Sequence, residues 1–151
     1  MTVESATVLP LAVPGADDSL IQRVTFPAGL FGFPECRDFR LSATTRPGLY
    51  WLRSSEHEAL AFLLADPFLF FPEYTVDLSE GDLAGLASED PSDLAVLAIV
   101  TLPRSAGEAL TANLQGPVIV NLARRIARQV VLQDSRFGLR CTFGVQAADA
   151  A

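Results

Sequence analysis

Turn-forming residues interrupt this chain at short intervals from one end almost to the other, and that spacing leaves no room for long helices. The interruptions are Pro14-Gly15, Pro27, Gly29, Gly32, Pro34, Pro47-Gly48, Asp66-Pro67, Pro72, Gly81, Gly85, Asp90-Pro91, Pro103, Gly107, Gly116-Pro117 and Gly138. Between them lie short segments rich in Val, Ile, Leu, Phe and Tyr, the pattern of many short strands in a sandwich or small barrel. The strands expected are Ile21–Phe26, Asp38–Leu41, Leu49–Arg53, Leu60–Ala65, Tyr74–Leu78, Leu94–Leu102, Thr111–Leu114, Val118–Asn121, Gln129–Gln133 and Leu139–Phe143. Several are too apolar to alternate cleanly, which points to burial on both faces or to closure.

Helical signals are few. Ser79-Glu80-Gly81-Asp82 approximates a capping sequence ahead of Leu83 and Leu86, so one helical turn is expected near Asp82–Leu86. Leu122–Leu132 is ambiguous by periodicity alone, because Leu122, Ile126 and Gln129-Val130 fit helical spacing while Val130-Val131-Leu132 favours a strand. At 151 residues the chain is expected to form one domain, with 1–12 and 145–151 loosely ordered. A chain of this length buries about 70% of its unfolded surface, so it needs no disulfide or metal staple. The longest apolar runs, Ala59–Ala65 and Leu94–Val100, are far shorter than the roughly 18 residues of a membrane span. Met1–Ala16 carries Glu4 and no basic residue, unlike a secretory signal. Cys36 and Cys141 are isolated, as reduced cytosolic thiols are, and a cytoplasmic location is expected.

Charge is distributed unevenly. The net charge is -7, and all 11 basic residues are arginine. Between Arg53 and Arg104 there is no arginine, but there are ten acids: Glu56, Glu58, Asp66, Glu73, Asp77, Glu80, Asp82, Glu89, Asp90 and Asp93. From Arg104 to Arg140 six arginines face only Glu108 and Asp134, so the two stretches have the means to pair within the fold. An acidic middle disfavours nucleic acid as a direct ligand and favours encounter with a basic protein.

Catalytic constellations are absent from the sequence. The one histidine, His57, sits in a polar bend beside Ser54 and Ser55, without the strand–turn–helix elbow a serine nucleophile needs. Zinc would require paired Cys or His ligands, and the acids of the middle do not follow a calcium-loop pattern. The glycines form neither GxGxxG nor a P-loop, so no cofactor is expected. What remains is apolar excess beside acidity. Asp66-Pro67-Phe68-Leu69-Phe70-Phe71-Pro72-Glu73-Tyr74 reads first as core aromatics at a proline bend. Consecutive side chains cannot all turn inward, however, and an apolar patch among acids suits an amphipathic helix from another protein.

Motifs in order now support a family. Val24-Thr25-Phe26-Pro27-Ala28-Gly29-Leu30-Phe31-Gly32-Phe33 resembles the opening of the flagellar assembly factor FliW family. Trp51-Leu52-Arg53-Ser54, Ala61–Pro67 and Phe71-Pro72-Glu73-Tyr74 follow, then Val100–Pro103, Thr111–Val118, Asn121 and Gln129-Val130. The resemblance runs from Val24 to Leu132; Val13-Pro14-Gly15 departs from the family's aromatic-glycine step. It implies a cytoplasmic, non-enzymatic, antiparallel β pseudobarrel, monomeric when free. It further implies binding to the translational repressor CsrA (carbon storage regulator A), relieving its block on flagellin mRNA. Flagellin itself, bound and chaperoned, competes in a partner switch. The family spacing also turns Leu122–Gln129 from helix to strand, turn, strand. The partner-binding candidates are Glu56, Glu58, Phe68, Phe70, Glu73, Tyr74, Asp77 and Glu80. Pro27, Gly29, Gly32, Asp66, Asn113, Asn121 and Trp51 are expected to be structural. The alternatives carried are a small β-barrel enzyme with an unrecognised site and a homo-oligomeric structural protein built by edge pairing.

Overall fold

The computed structural model describes residues 2–3, 22–88, 91–102, 108–133 and 136–146. In chain order the elements are β1 (Thr2–Val3), β2 (Gln22–Thr25), β3 (Asp38–Ala43), β4 (Leu49–Ser54), β5 (Ala61–Ala65), α1 (Pro67–Phe70), β6 (Val76–Asp77) and α2 (Glu80–Gly85). A 3-10 turn at Pro91–Asp93 follows, then β7 (Leu94–Thr101), β8 (Ala109–Asn121), β9 (Ile126–Gln129) and β10 (Cys141–Gln146).

Seven strands close on themselves in the order β8-β7-β5-β4-β3-β2-β9 and back to β8. The fold is therefore the barrel-like, nearly all-β sheet that the strand spacing and the family resemblance implied. Strand direction cannot alternate all the way round a ring of odd number, so one neighbouring pair has to run parallel. That pair is β2–β9, whose one register pair is Thr25 with Ile126. Outside the ring, β10 pairs with the first half of β8, and β1 with β6.

Alternation along the strands builds two cores. One draws on all seven ring strands and fills the barrel: Val24, Phe26, Phe39, Leu41, Leu52, Leu64, Ala95, Leu97, Val118, Val120 and Ala127. The other lies outside the barrel wall. There Leu49, Leu63, Ala65, Leu94, Val96, Ala98, Val100 and Ile119 meet Tyr74, Val76, Leu78, Leu86 and Phe143 from the segments that cover them. Strand β7 shows why the sequence pattern failed to alternate. Leu94, Val96, Ala98 and Val100 face the outer core while Ala95, Leu97 and Ile99 face the inner one, so both faces are dry. The outer cover reaches only part of the wall. On β2 and β3, Arg23, Thr25, Asp38 and Arg40 remain exposed.

Five expectations are corrected. Pro67–Phe70, read as a bend, is a short helix, because Asp66 accepts the Phe68 amide at 3.0 Å and proline opens the turn. Of the expected strand Tyr74–Leu78, Val76–Asp77 is strand among the described residues, paired with Thr2–Val3 of β1. Thr111–Leu114 and Val118–Asn121 are one strand, β8. Its Gly116-Pro117 step does not end it; Asn113 Oδ1 accepts the Gln115 and Gly116 amides at 3.1 and 2.9 Å and folds the chain into a bulge, where the β7–β8 register shifts. The strand expected at Gln129–Gln133 lies at Ile126–Gln129, after a turn at 122–125. Beyond it, Val130 and Leu132 still donate to the Pro117 and Gln115 carbonyls. The strand expected at Leu139–Phe143 starts at Cys141 and runs to Gln146. Of the expected loose ends, most of 1–12 and 147–151 lie outside the described residues, as does the Val13-Pro14-Gly15 departure, whereas Thr2–Val3 pairs with β6.

Candidate functional site

The part of the acidic middle that follows β5, from Asp66 through α2, folds into the cover on the outer core. At its start, Gly48 adopts φ +84 in the β3–β4 turn, and a Cβ there would meet Leu69 Cδ2 at 2.5 Å, so glycine lets α1 lie against the turn. Phe68, Phe70 and Phe71 are half-buried against the outer core; Phe70 and Phe71 pack at a tilt against Phe143 with centroids 4.9 and 5.7 Å away. Leu69 alone turns outward, 56% exposed. Tyr74 is fully buried, its hydroxyl donating to the Leu114 carbonyl at 2.7 Å and its ring meeting Phe68 and Phe137. Burial pushes its phenol far above the ordinary value of 10.0. It has no surface to offer a partner.

Helix α2 is fixed at both ends. Ser79 and Asp82 form a reciprocal capping box, with the Asp82 amide donating to Ser79 Oγ and the Ser79 amide to Asp82 Oδ2. At the other end the Ser88 amide reaches the Leu83 carbonyl and Ala87 enters the left-handed region at φ 51. Buried Asn121 ties this end to the barrel: Nδ2 donates to the Leu86 carbonyl at 2.8 Å while Oδ1 accepts the Ala123 and Arg124 amides. Arg128 lies over Gly85, so the arginine-rich stretch meets the acidic one here.

Between β6, α2 and the segment after β9 runs a groove of about 300 Å³ lined by Thr75, Asp77, Ser79, Asp82, Val131 and Gln133, with Leu132 at its floor. Val131 is 59% exposed. Glu73, Asp77 and Glu80 are exposed on the same cover. This is the surface where apolar side chains stand among acids. Val131 borders the groove and Leu69 stands on α1; both are exposed apolar residues, and neither was among the sequence candidates. Reading 66–71 as a capped helical turn would have singled out Leu69, since the flanking aromatics face the core.

Glu56 and Glu58 lie elsewhere. They occupy the β4–β5 turn, at the far end of a hairpin whose near end carries α1, about 20 Å away for a six-residue strand. Glu56 Oε1 accepts the Asp38 and Arg37 amides at 2.9 and 3.2 Å, and these bonds hold its carboxyl below the ordinary value. Buried Ser54 accepts the Glu56 and His57 amides, so its hydroxyl shapes the turn, and His57 is exposed. Beside this turn an apolar cleft of about 330 Å³ is lined by Phe33, Glu35, Cys36, His57, Ala59 and Leu60. Cys36 and Cys141 are free thiols. Among the described residues no three His, Cys, Asp or Glu side chains converge on a metal position, and no helix is long and apolar enough to cross a membrane.

A family model described as FliW protein matches residues 14–143. The chain is 38% identical over 124 residues to a flagellar assembly factor FliW of Treponema denticola, covering 82% of each. It is 39% identical over 116 residues to that of Moorella thermoacetica, covering 76% of this chain and 73% of the relative. A crystal structure of the flagellar assembly factor FliW superposes with a TM-score of 0.72 at 32% identity, covering 80% of this chain and 84% of that one.

Proposed function

The chain belongs to the FliW family of flagellar assembly factors, and from that premise we propose that it works by binding, as a cytoplasmic partner switch without cofactor or catalysis. In this reading it captures a CsrA-type repressor and so frees flagellin mRNA, and it also captures and chaperones flagellin, which competes with the repressor. It is monomeric when free and contacts neither nucleic acid nor membrane.

The observation that carries the reading is the acidic, partly apolar cover over the outer core. Glu73, Asp77 and Glu80 supply a field that attracts a basic RNA-binding protein and repels phosphate beside it. Leu69, with Phe68 and Phe70 beneath it, supplies the apolar contact that a helical flagellin segment needs. Glu56 and Glu58 extend the acidic field at the other end of the hairpin, beside the apolar cleft.

Calorimetric titration against the host's repressor and its flagellin tests the proposal. Both are expected to bind, with flagellin displacing the repressor. Joint reversal of Glu73, Asp77 and Glu80 to arginine is expected to weaken repressor binding by about tenfold or more. Leu69→Asp is expected to weaken flagellin binding in a protein whose circular dichroism is unchanged. Binding to neither partner by a folded sample would sink the proposal.

A further inference from the structure

Three arginines stand side by side on the uncovered part of the barrel. The register sets Arg23 of β2 opposite Arg40 of β3, and Arg40 opposite Arg53 of β4, and all three are exposed. Their side chains therefore spring from neighbouring strands about 4.8 Å apart, in one row across the sheet. Like charges directly opposite one another destabilise a sheet. Among the described residues none of the three meets a carboxylate; Arg53 lies instead over the Trp51 ring, its guanidinium carbon 5.1 Å from the centroid. Ser42 on β3 and Ala61 opposite Arg53 are uncharged, so the one acidic neighbour the register sets on this face is Asp38, two residues before Arg40.

The row borders a groove of about 550 Å³, lined by Arg23, Thr25, Asp38, Arg40 and Ser55 over the backbone of Val24 and Phe39. Asp38 closes one end, its carboxylate accepting the Thr25 hydroxyl at 3.5 Å and its amide held by Glu56.

We propose that this row is a docking surface for an acidic segment of a protein partner, whose Asp and Glu carboxylates pair with Arg23, Arg40 and Arg53. Guanidinium forks suit carboxylates, and the Trp51 ring restrains Arg53, so less freedom is lost on pairing. The footprint is only three strands wide and is bounded by Asp38 and Glu56. A phosphate backbone binds along a long basic track, and a row three strands wide is too short to supply one. The surface is distinct from the acidic cover and needs a partner of opposite charge.

Fluorescence anisotropy with a labelled deca-glutamate peptide at low and at physiological salt tests this. The peptide is expected to bind, more weakly as salt rises. Arg40→Glu is expected to lower affinity by about tenfold or more, and Arg124→Glu, a charge change on the β8–β9 turn, to leave it unchanged. Thermal melting of Arg40→Glu is expected at or above the parent temperature, because the change relieves the like-charge row. Should Arg40→Glu fail to fold, Arg40→Gln carries the test with a smaller loss. No binding of the peptide, or equal losses in the Arg40 and Arg124 variants, overturns the proposal. So does tighter binding of an oligouridylate of equal charge through the same arginines.

Discussion

Tyr74 shows how one side chain ties the cover to the barrel. Its ring lies between Phe68 and Phe137, and its hydroxyl donates across to the Leu114 carbonyl at the β8 bulge. Tyr74→Phe keeps the ring but leaves that carbonyl dry, and should cost about 1–2 kcal/mol in urea denaturation. The same residue sets a pH dependence. Its folded-state pKa lies above the unfolded value of 10.0, because burial disfavours the phenolate. Its contribution is therefore complete below about pH 10 and is lost as pH rises toward the folded pKa, where the unfolded chain alone gives up the proton. Tyr74→Phe should flatten this alkaline fall in stability, measured by urea midpoints across the range.

Among the elements, α2 carries a specific conflict. Its end forms a Schellman arrangement, with the Ser88 amide on the Leu83 carbonyl and the Ala87 amide on that of Ala84, yet alanine rather than glycine holds the left-handed position. Ala87→Gly should raise stability by about 0.5–1 kcal/mol, read from the denaturant midpoint at constant slope. The contrast with α1 shows what a sequence exposes. Helix α2 was legible because its capping box is local, involving only Ser79 and Asp82. The four residues of α1 were not, because Phe68, Phe70 and Phe71 fit an inward-facing strand equally well until Phe143 and Gly48 take their places. Strand β8 was misread as two for a related reason. Gly116-Pro117 is a genuine irregularity, but whether it ends a strand or bulges one depends on Asn113 and on the register with β7. In the candidate site the acids of the cover were visible in composition. The burial of Tyr74 and the exposure of Leu69 and Val131 were not, because they arise from the second core outside the barrel.

At the scale of the whole molecule the barrel is held unevenly. Strands β3 and β4 share five register pairs, whereas β2 and β9 share one, Thr25 with Ile126. Gln129 reinforces this seam: its Oε1 accepts the Phe31 amide at 3.0 Å and its Nε2 donates to the Gly116 carbonyl at 2.9 Å. Gln129→Leu strands both groups and should cost about 1–3 kcal/mol. Hydrogen exchange of the Thr25 and Phe31 amides should then accelerate before that of Leu64 or Ile119 in the wall. The seam also sets a schedule. Thr25 leaves the ribosome about 100 residues ahead of Ile126, which at about 5–20 residues per second is a wait of roughly 5–20 s. Until then the ring lacks its closing strand and Val24, Phe26, Phe39 and Leu41 have only part of their inner core to enter, so the nascent chain passes its most vulnerable moments as an open sheet.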